Sequence, residues 1–185
     1  MASIITATVA SGLTQSADNS GVLQLASGTG NLVTVPSVTG TAMVSGNMPA
    51  FSAYKSSNQS ITSNTFTKVT FDTEEFDTNS NFASSTFTPT VAGYYQVNAA
   101  VDLYPSSGTA TRTVIRMYKN GSNFKTGNEV QISNTTEMSC VVSALVSMNG
   151  TTDYLEIYAL QTGTTPNILG SQSTTYFQAC LVRGA

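Results

Sequence analysis

Apolar and polar residues alternate with a period of two over much of this chain, and no segment of helical length repeats every 3.6 residues. The strand-like runs are AFSAY, FTKVTFDT, GYYQVNAAVDLY, TRTVIRMY, EVQIS, MSCVVSALVSM, DYLEIYAL and TYFQACLV. Turn-forming sequences lie between them, notably LYPSSG, KNGSN, MNGTT and TGTTPN. Short alternating strands separated by turns predict an all-β fold, a jelly-roll β-sandwich of about eight to ten strands.

The aromatic residues divide the chain into two regions. All 8 Phe and 8 Tyr residues lie between Phe51 and the C terminus. Residues 1–47 hold the β-prone pieces IITATV, GVLQLA and NLVTVPSV but too few large apolar groups for a core. We therefore predict an extended, β-rich N-terminal attachment arm over 1–47, mobile until it pairs with another chain, and a jelly-roll domain over 48–185.

Charge is scarce, which excludes two classes of partner. Charged residues make up 9% of the chain, and the 7 Lys and Arg residues are scattered, so no basic stripe is available to neutralise phosphates. We expect no nucleic-acid partner. The start MASIITATVASG lacks the features of a signal peptide, and no apolar run approaches transmembrane length. We expect neither an export signal nor membrane insertion.

The residue types also argue against catalysis. The chain has no histidine, which removes His-activated nucleophiles and the usual zinc ligands. No glycine-rich phosphate loop precedes a helix, since no helix is predicted. We predict no catalytic residue, no cofactor and no enzymatic activity.

One acidic cluster consists of Asp72, Glu74, Glu75 and Asp77. Bunched carboxylates could form a calcium site or, less in keeping with the pattern, a glycosidase pair. The favoured interpretation is a solvated strand end whose charges discourage edge pairing. Calcium remains the open alternative.

The two cysteines fall on opposite phases of their strands. Cys140 is in phase with the more apolar face of MSCVVSALVSM, and Cys180 lies opposite Phe177, Ala179 and Leu181. Free thiols are therefore favoured over a disulfide, and a lone pair of cysteines forms no metal or redox motif.

The stretch FTPTVAGYYQVNAAV, residues 87–101, predicts a tight corner feeding a long strand. Pro89 stiffens the entry, and Gly93 permits a backbone conformation that other residues resist. Alternate residues Tyr95, Val97, Ala99 and Val101 predict a core face. The opposite face is amphipathic and fits a subunit interface. The interface candidates are Tyr94, Gln96 and Asn98, with Tyr176 and Gln178 of the last strand.

Tyrosines could also form a carbohydrate platform, because aromatic faces stack on sugars. The residues concerned are Tyr94, Tyr95, Tyr104, Tyr118, Tyr154, Tyr158 and Tyr176. Core and subunit-interface roles are favoured, since tyrosine buries well with its hydroxyl at an edge.

Several landmarks resemble one family in order along the chain. Phe87, Gly93 and Tyr95 resemble the signature of the globular head of the complement C1q family, which belongs with the tumour-necrosis-factor-like trimeric jelly rolls. Further similar segments are PAFSAY (49–54), TKVTFDTEEFDTNSNF (67–82), MYKNG (117–121), DYLEIYA (153–159) and TYFQACLV (175–182). The sequence departs from the family pattern at Phe82, Val97, Ala99 and Ala179. The resemblance implies a homotrimer and leaves the function open.

A second resemblance concerns SGLTQSADNSGVLQLASGTGNLVTV, which is similar to segments preceding such heads in virion proteins of tailed bacteriophages. It implies a non-enzymatic virion structural protein, a homotrimeric surface knob that assembles in the host cytoplasm. Residues 1–47 would attach it to capsid or tail proteins, as a capsid decoration protein or a short fibre. The alternative is a tail-fibre tip that binds a host-surface glycan receptor. A glycan depolymerase is disfavoured by the sparse carboxylates.

Overall fold

A computed structural model describes residues 23–26, 32–35, 46 and 48–185. The chain divides into two compact units, Met1–Thr41 and Ala42–Ala185. No helix within the described residues is long and apolar enough to span a membrane.

The described part of the first unit is a two-stranded antiparallel pair. Strand β1 (Leu23–Ala26) pairs with β2 (Leu32–Val35), with Leu23 opposite Val35 and Ala26 opposite Leu32. Two of the three β-prone pieces therefore form strands, and the third, IITATV, lies outside the described residues. The sequence predicts that pairing requires another chain, whereas β1 and β2 pair with each other. The role of residues 1–47 as an attachment arm stays a prediction.

The second unit is a sandwich of two antiparallel sheets. Its strands are β3 (Ala50–Lys55), β4 (Gln59–Ser60), β5 (Thr67–Lys68), β6 (Thr73–Asp77), β7 (Phe82–Ala83), β8 (Thr86–Phe87), β9 (Gly93–Pro105), β10 (Ala110–Lys119), β11 (Ser122–Thr135), β12 (Met138–Met148), β13 (Leu155–Gly163), β14 (Pro166–Ile168) and β15 (Ser171–Gly184). The sheet that we name the β9 sheet has the order β4-β14-β9-β15-β3-β6, with β12 also paired to β9. The β10 sheet has the order β11-β10-β13-β8-β7, with β5 also paired to β13.

An aromatic cluster fills the space between the sheets. Phe51 of β3 stacks on Phe82 and Phe87 with ring centroids 4.7 and 4.6 Å apart, and meets Phe177 edge-on at 4.9 Å. Tyr95 is fully buried against Phe87, and its hydroxyl donates a hydrogen bond to the Val91 carbonyl at 2.7 Å. Offset and edge-on rings of this kind add to the free energy gained from apolar burial. The predicted core face of β9 is buried, which confirms that phase of the strand.

Two predicted strands differ from those observed. FTKVTFDT is split, because Val69 donates its N–H to Ile157 of the β10 sheet whereas Asp72 donates to Tyr54 of the β9 sheet. The chain thus crosses between the sheets while Val69 and Phe71 stay buried, and alternation looks the same on both sides of the crossing. EVQIS is the second half of one long strand, β11, which pairs with β10 across the KNGSN turn.

The prediction that Gly93 adopts a backbone conformation that other residues resist is wrong. Glycines with positive φ among the described residues are Gly108, Gly121 and Gly150, and Gly93 is not one of them. A Cβ at Gly93 would instead fall against the carbonyl oxygen of Arg183 and 2.6 Å from Cδ1 of Leu181. The close approach of β15 therefore explains the glycine.

The start of the sandwich at Pro49 and its C-terminal residues lie at one end of the sandwich. Leu181 donates its N–H to the Pro49 carbonyl at 2.9 Å, and Ala185 donates to the Ala92 carbonyl at 3.2 Å. The chain therefore enters and leaves the sandwich beside the start of β9.

Candidate interaction surface

The side of the β9 sheet that faces away from the core forms a continuous surface, which we call the outer face. Strand register arranges it in rows. The rows across β12, β9 and β15 are Val141–Ala100–Tyr176, Ser143–Asn98–Gln178, Leu145–Gln96–Cys180 and Ser147–Tyr94–Arg183. Ser52 of β3 and Phe76 of β6 extend the second row. The outer face therefore spans five adjacent strands.

Exposed apolar side chains concentrate on the outer face. Of the seven large apolar residues that are strongly exposed within the described part of the chain, five lie here. They are Phe76, Tyr94, Val141, Leu145 and Val182, each between 41% and 60% exposed. Exposed apolar residues scattered singly need no explanation, whereas five on one face of a sheet favour an interaction site.

The centre of the outer face is polar without being charged. The Ser143 hydroxyl donates to Oδ1 of Asn98 at 2.7 Å, and Nε2 of Gln96 donates to the Ser143 hydroxyl at 2.9 Å. These bonds link β12 to β9 and hold the three side chains in a fixed arrangement. The absence of charge from this described centre agrees with subunit interfaces, whose centres are depleted of charged residues.

All five predicted interface residues lie on the outer face. Asn98 stands opposite Gln178, and Tyr176 opposite Ala100, so the register brings the two predicted groups together. Their role in subunit contact stays a prediction. The sequence analysis does not place Val141 and Leu145 at this surface, although the second phase of MSCVVSALVSM also carries large apolar residues, as in strands buried on both sides.

The structure does not gather the acidic cluster into a metal site. Asp72 accepts hydrogen bonds from Ser56 and Ser57, whereas Glu75 accepts from Ser52 and Gln172. Oxygens of Asp77 accept from the backbone of Asn79 and Phe82. Within the described residues, no group of three or more His, Cys, Asp or Glu side chains could hold a metal ion.

Asp72 serves a structural role instead. Its carboxylate lies 3.7 Å from Nζ of Lys55, a lysine only 3% exposed. Burial opposes ionisation of Asp72, but hydrogen bonds from Ser56 and Ser57 and the Lys55 charge lower its pKa well below the usual value. Burial lowers the pKa of Lys55, and the Asp72 charge offsets part of that effect.

One buried carboxyl on the outer side of the β9 sheet was not anticipated. Asp102 stands opposite Ser139 and is 2% exposed. Among the described residues its Oδ1 has no hydrogen-bond partner. Burial raises the pKa of Asp102 to about 6, helped by the neighbouring Glu137 carboxylate, while the nearby hydroxyls of Ser139 and Thr174 oppose the shift. The sequence signal was a lone acid inside an otherwise uncharged strand.

The cysteines are unbonded to each other, with Cys140 buried and Cys180 exposed, as their phases predict. Cys140 lies 3.1 Å from the Thr113 hydroxyl, and burial raises the pKa of its thiol. That shift disfavours the thiolate that a nucleophile requires.

The seven tyrosines do not form one platform. Tyr118 and Tyr158 of the β10 sheet stack on each other at 4.0 Å, which occupies one face of each ring. Tyr104 accepts a hydrogen bond from Asn58, Tyr95 is in the core, and Tyr94 lies on the outer face. Sugar stacking gains no specific support from this arrangement.

Comparison with known proteins identifies similar folds. Neither a family model nor a curated protein sequence matches the chain. The globular domain of zebrafish complement 1qA protein matches with a TM-score of 0.55 and 16% identity, over 74% of this chain and 99% of that one. Murine APRIL at pH 5.0 matches with a TM-score of 0.54 and 10% identity, over 73% and 99%. Eiger TNF from S. frugiperda matches with a TM-score of 0.53 and 12% identity, over 75% and 93%.

At 10–16% identity these similarities establish the fold alone. They confirm the predicted jelly-roll β-sandwich and the resemblance to C1q and tumour-necrosis-factor heads at the level of fold.

Proposed function

We propose that this chain is a non-enzymatic structural protein of a bacteriophage virion, a homotrimeric surface knob attached to capsid or tail proteins through residues 1–47. The observation that carries the trimer is the outer face of the β9 sheet, where Leu145, Val141 and Tyr94 remain exposed in a single chain. Covering such residues contributes about 1 kcal/mol each, because roughly half of each side chain is still in contact with water.

The outer face fits a second copy of this chain better than an unrelated surface. Its centre carries the uncharged side chains of Gln96, Asn98 and Ser143, so copies can meet at this centre without burying charge there. The sequence resemblance to C1q and tumour-necrosis-factor heads implies a homotrimer. The similarity in fold to such heads supports self-association.

Pro49 and residues 181–185 lie together beside the start of β9. Support for the virion itself comes from the phage-like texture of residues 11–35.

Two measurements test this function. Light scattering on the full chain at micromolar concentration is expected to give three times the 19.3 kDa chain mass. Immunogold labelling or cryo-EM of purified particles is expected to show the protein on the virion, in many copies over the shell for a decoration protein or in few copies at the tail for a fibre. A monomer contradicts the trimer, and absence from particles contradicts the virion role.

A further inference from the structure

Asp102 and Glu137 form a pair of carboxyl groups at one corner of the outer face. Asp102 is the one charged residue of β9, and its side chain is 2% exposed. Glu137 lies two residues before Ser139, which stands opposite Asp102, so the antiparallel register puts Glu137 diagonal to it. Glu137 and Ser139 are exposed in the single chain.

The groups around Asp102 are neutral apart from Glu137. Strand β15 contributes Thr174 and Thr175, and the Thr175 hydroxyl accepts a hydrogen bond from the Asp102 N–H at 3.2 Å. The segment after β14 contributes the Leu169 N–H, which donates to the Asp102 carbonyl. On the other side of β12 the Cys140 thiol is the nearby titratable group.

Among the described residues, no cation balances the charge of Asp102. Ion pairs among the described residues join Lys55 to Asp72, Lys68 to Glu156, Arg112 to Glu129 and Lys119 to Asp153. Oδ1 of Asp102 also lacks a hydrogen-bond partner there. A buried carboxylate without a cation or a full set of donors is costly, and protonation removes that cost.

We propose that Asp102, beside Glu137, takes up a proton when the chains assemble, so that the trimer tightens as the pH falls from about 8 to about 6. This inference rests on the proposed trimer and adds a regulatory property to it.

The direction follows from proton uptake. In the single chain, burial and Glu137 raise the pKa of Asp102 to about 6. Assembly over the outer face covers the exposed Glu137 and Ser139, removes water from the pair and raises this pKa further. Below a pH of about 6 the Asp102 carboxyl is already protonated, so assembly takes up no further proton. Above it, each chain must acquire a proton on assembly, so association weakens as the pH rises.

Sedimentation equilibrium of the full chain from pH 5 to pH 8.5, in buffer with EDTA, tests the proposal. The concentration at which half of the trimer dissociates is expected to rise roughly tenfold or more between pH 6 and pH 8, because each chain takes up one proton. Asp102→Asn and Glu137→Gln are expected to flatten this profile. Glu74→Gln, at an exposed acid on β6, is the control and should keep the wild-type slope.

The other outcomes of this experiment would contradict the inference, the proposed function or the role of the proton. A trimer whose dissociation does not depend on pH overturns the inference and leaves the proposed function standing, whereas a monomer at every pH overturns both. An unchanged slope in Glu137→Gln, an exposed site where folding is not at risk, assigns the titration to another group. Tightening by added calcium chloride at pH 8 in the wild type would mean that a cation, not a proton, lies between the carboxyls.

Discussion

Gly93 is the first residue of β9, and Asp102 lies near the other end of that strand. The neighbouring strands explain the properties of both residues. At Gly93 the backbone of β15 leaves no room for a side chain. At Asp102 the surrounding strands remove water from a carboxyl. Sequence reasoning identified Gly93 through its place in a motif but misassigned the cause, since a residue type does not reveal how closely another strand approaches.

Gly93→Ala is expected to lower the free energy of unfolding by about 1–3 kcal/mol, because the new methyl group overlaps backbone atoms of β15 that cannot turn aside. Valine should cost more. Gly46→Ala is the matched control, since a Cβ there meets nothing within 4 Å. Urea denaturation of the variants measures the difference, and equal stability of Gly93→Ala and wild type would show that β15 can move.

Asp102→Asn is expected to make stability less dependent on pH. The pKa of Asp102 is raised to about 6 from an ordinary 3.8, so its contribution is complete below pH 3.8 and is lost as the pH rises through 6. Urea denaturation at one fixed protein concentration should show wild type weakening between pH 4 and pH 7 and Asp102→Asn weakening less. Parallel profiles would mean that Asp102 keeps an ordinary pKa.

At the scale of elements, alternation predicted the long strands and failed where a strand changes sheets. Residues 69–72 alternate between apolar and polar, yet Val69 bonds to one sheet and Asp72 to the other. Both sheets face the same core, so burial has the same period before and after the crossing. Conversely, alternation on β9 identified Tyr94, Gln96 and Asn98 as one face, because period-two geometry fixes which residues share a side.

The contact between β11 and β12 closes one side of the sandwich and depends on Gly127. A Cβ at Gly127 would meet the Val141 carbonyl oxygen and come within 2.6 Å of Cγ2 of Ile115. Gly127→Ala is expected to cost about 1–3 kcal/mol by pushing the two strands apart. Thr126→Ala, at an exposed neighbour on the same strand, should stay within about 0.5 kcal/mol of wild type. Similar melting temperatures for both variants would show that the strands are loosely packed.

At the scale of the whole molecule, core formation belongs to the second unit. The aromatic cluster around Phe51 and Phe177 lies entirely within Ala42–Ala185. From the position of the aromatic residues, the sequence predicted a boundary between residues 47 and 48, and that boundary stays a prediction. The sequence could not place Val141 and Leu145 on the outer face beside Gln96, because that placement requires β12 to pair with β9 rather than with its neighbour in sequence.

Limited proteolysis is expected to remove the N-terminal region and leave the sandwich intact. Residues 1–47 offer little apolar surface to offset the entropy of ordering, whereas the sandwich has a continuous buried core. Mass spectrometry should find a resistant fragment that begins near Met48, and light scattering should find it still trimeric. First cleavage within 48–185, or a fall to one chain mass after trimming, would assign assembly to the N-terminal region.

The central claim is that the outer face of the β9 sheet holds three chains together, and a matched pair of charge substitutions tests it most directly. Leu145→Asp puts a charge on that face, whereas Phe124→Asp puts one at a comparably exposed apolar site on β11 of the other sheet. Sedimentation equilibrium at neutral pH should give three chain masses for wild type and Phe124→Asp, and one folded chain for Leu145→Asp. A trimeric Leu145→Asp, or a monomeric wild type, would contradict the claim.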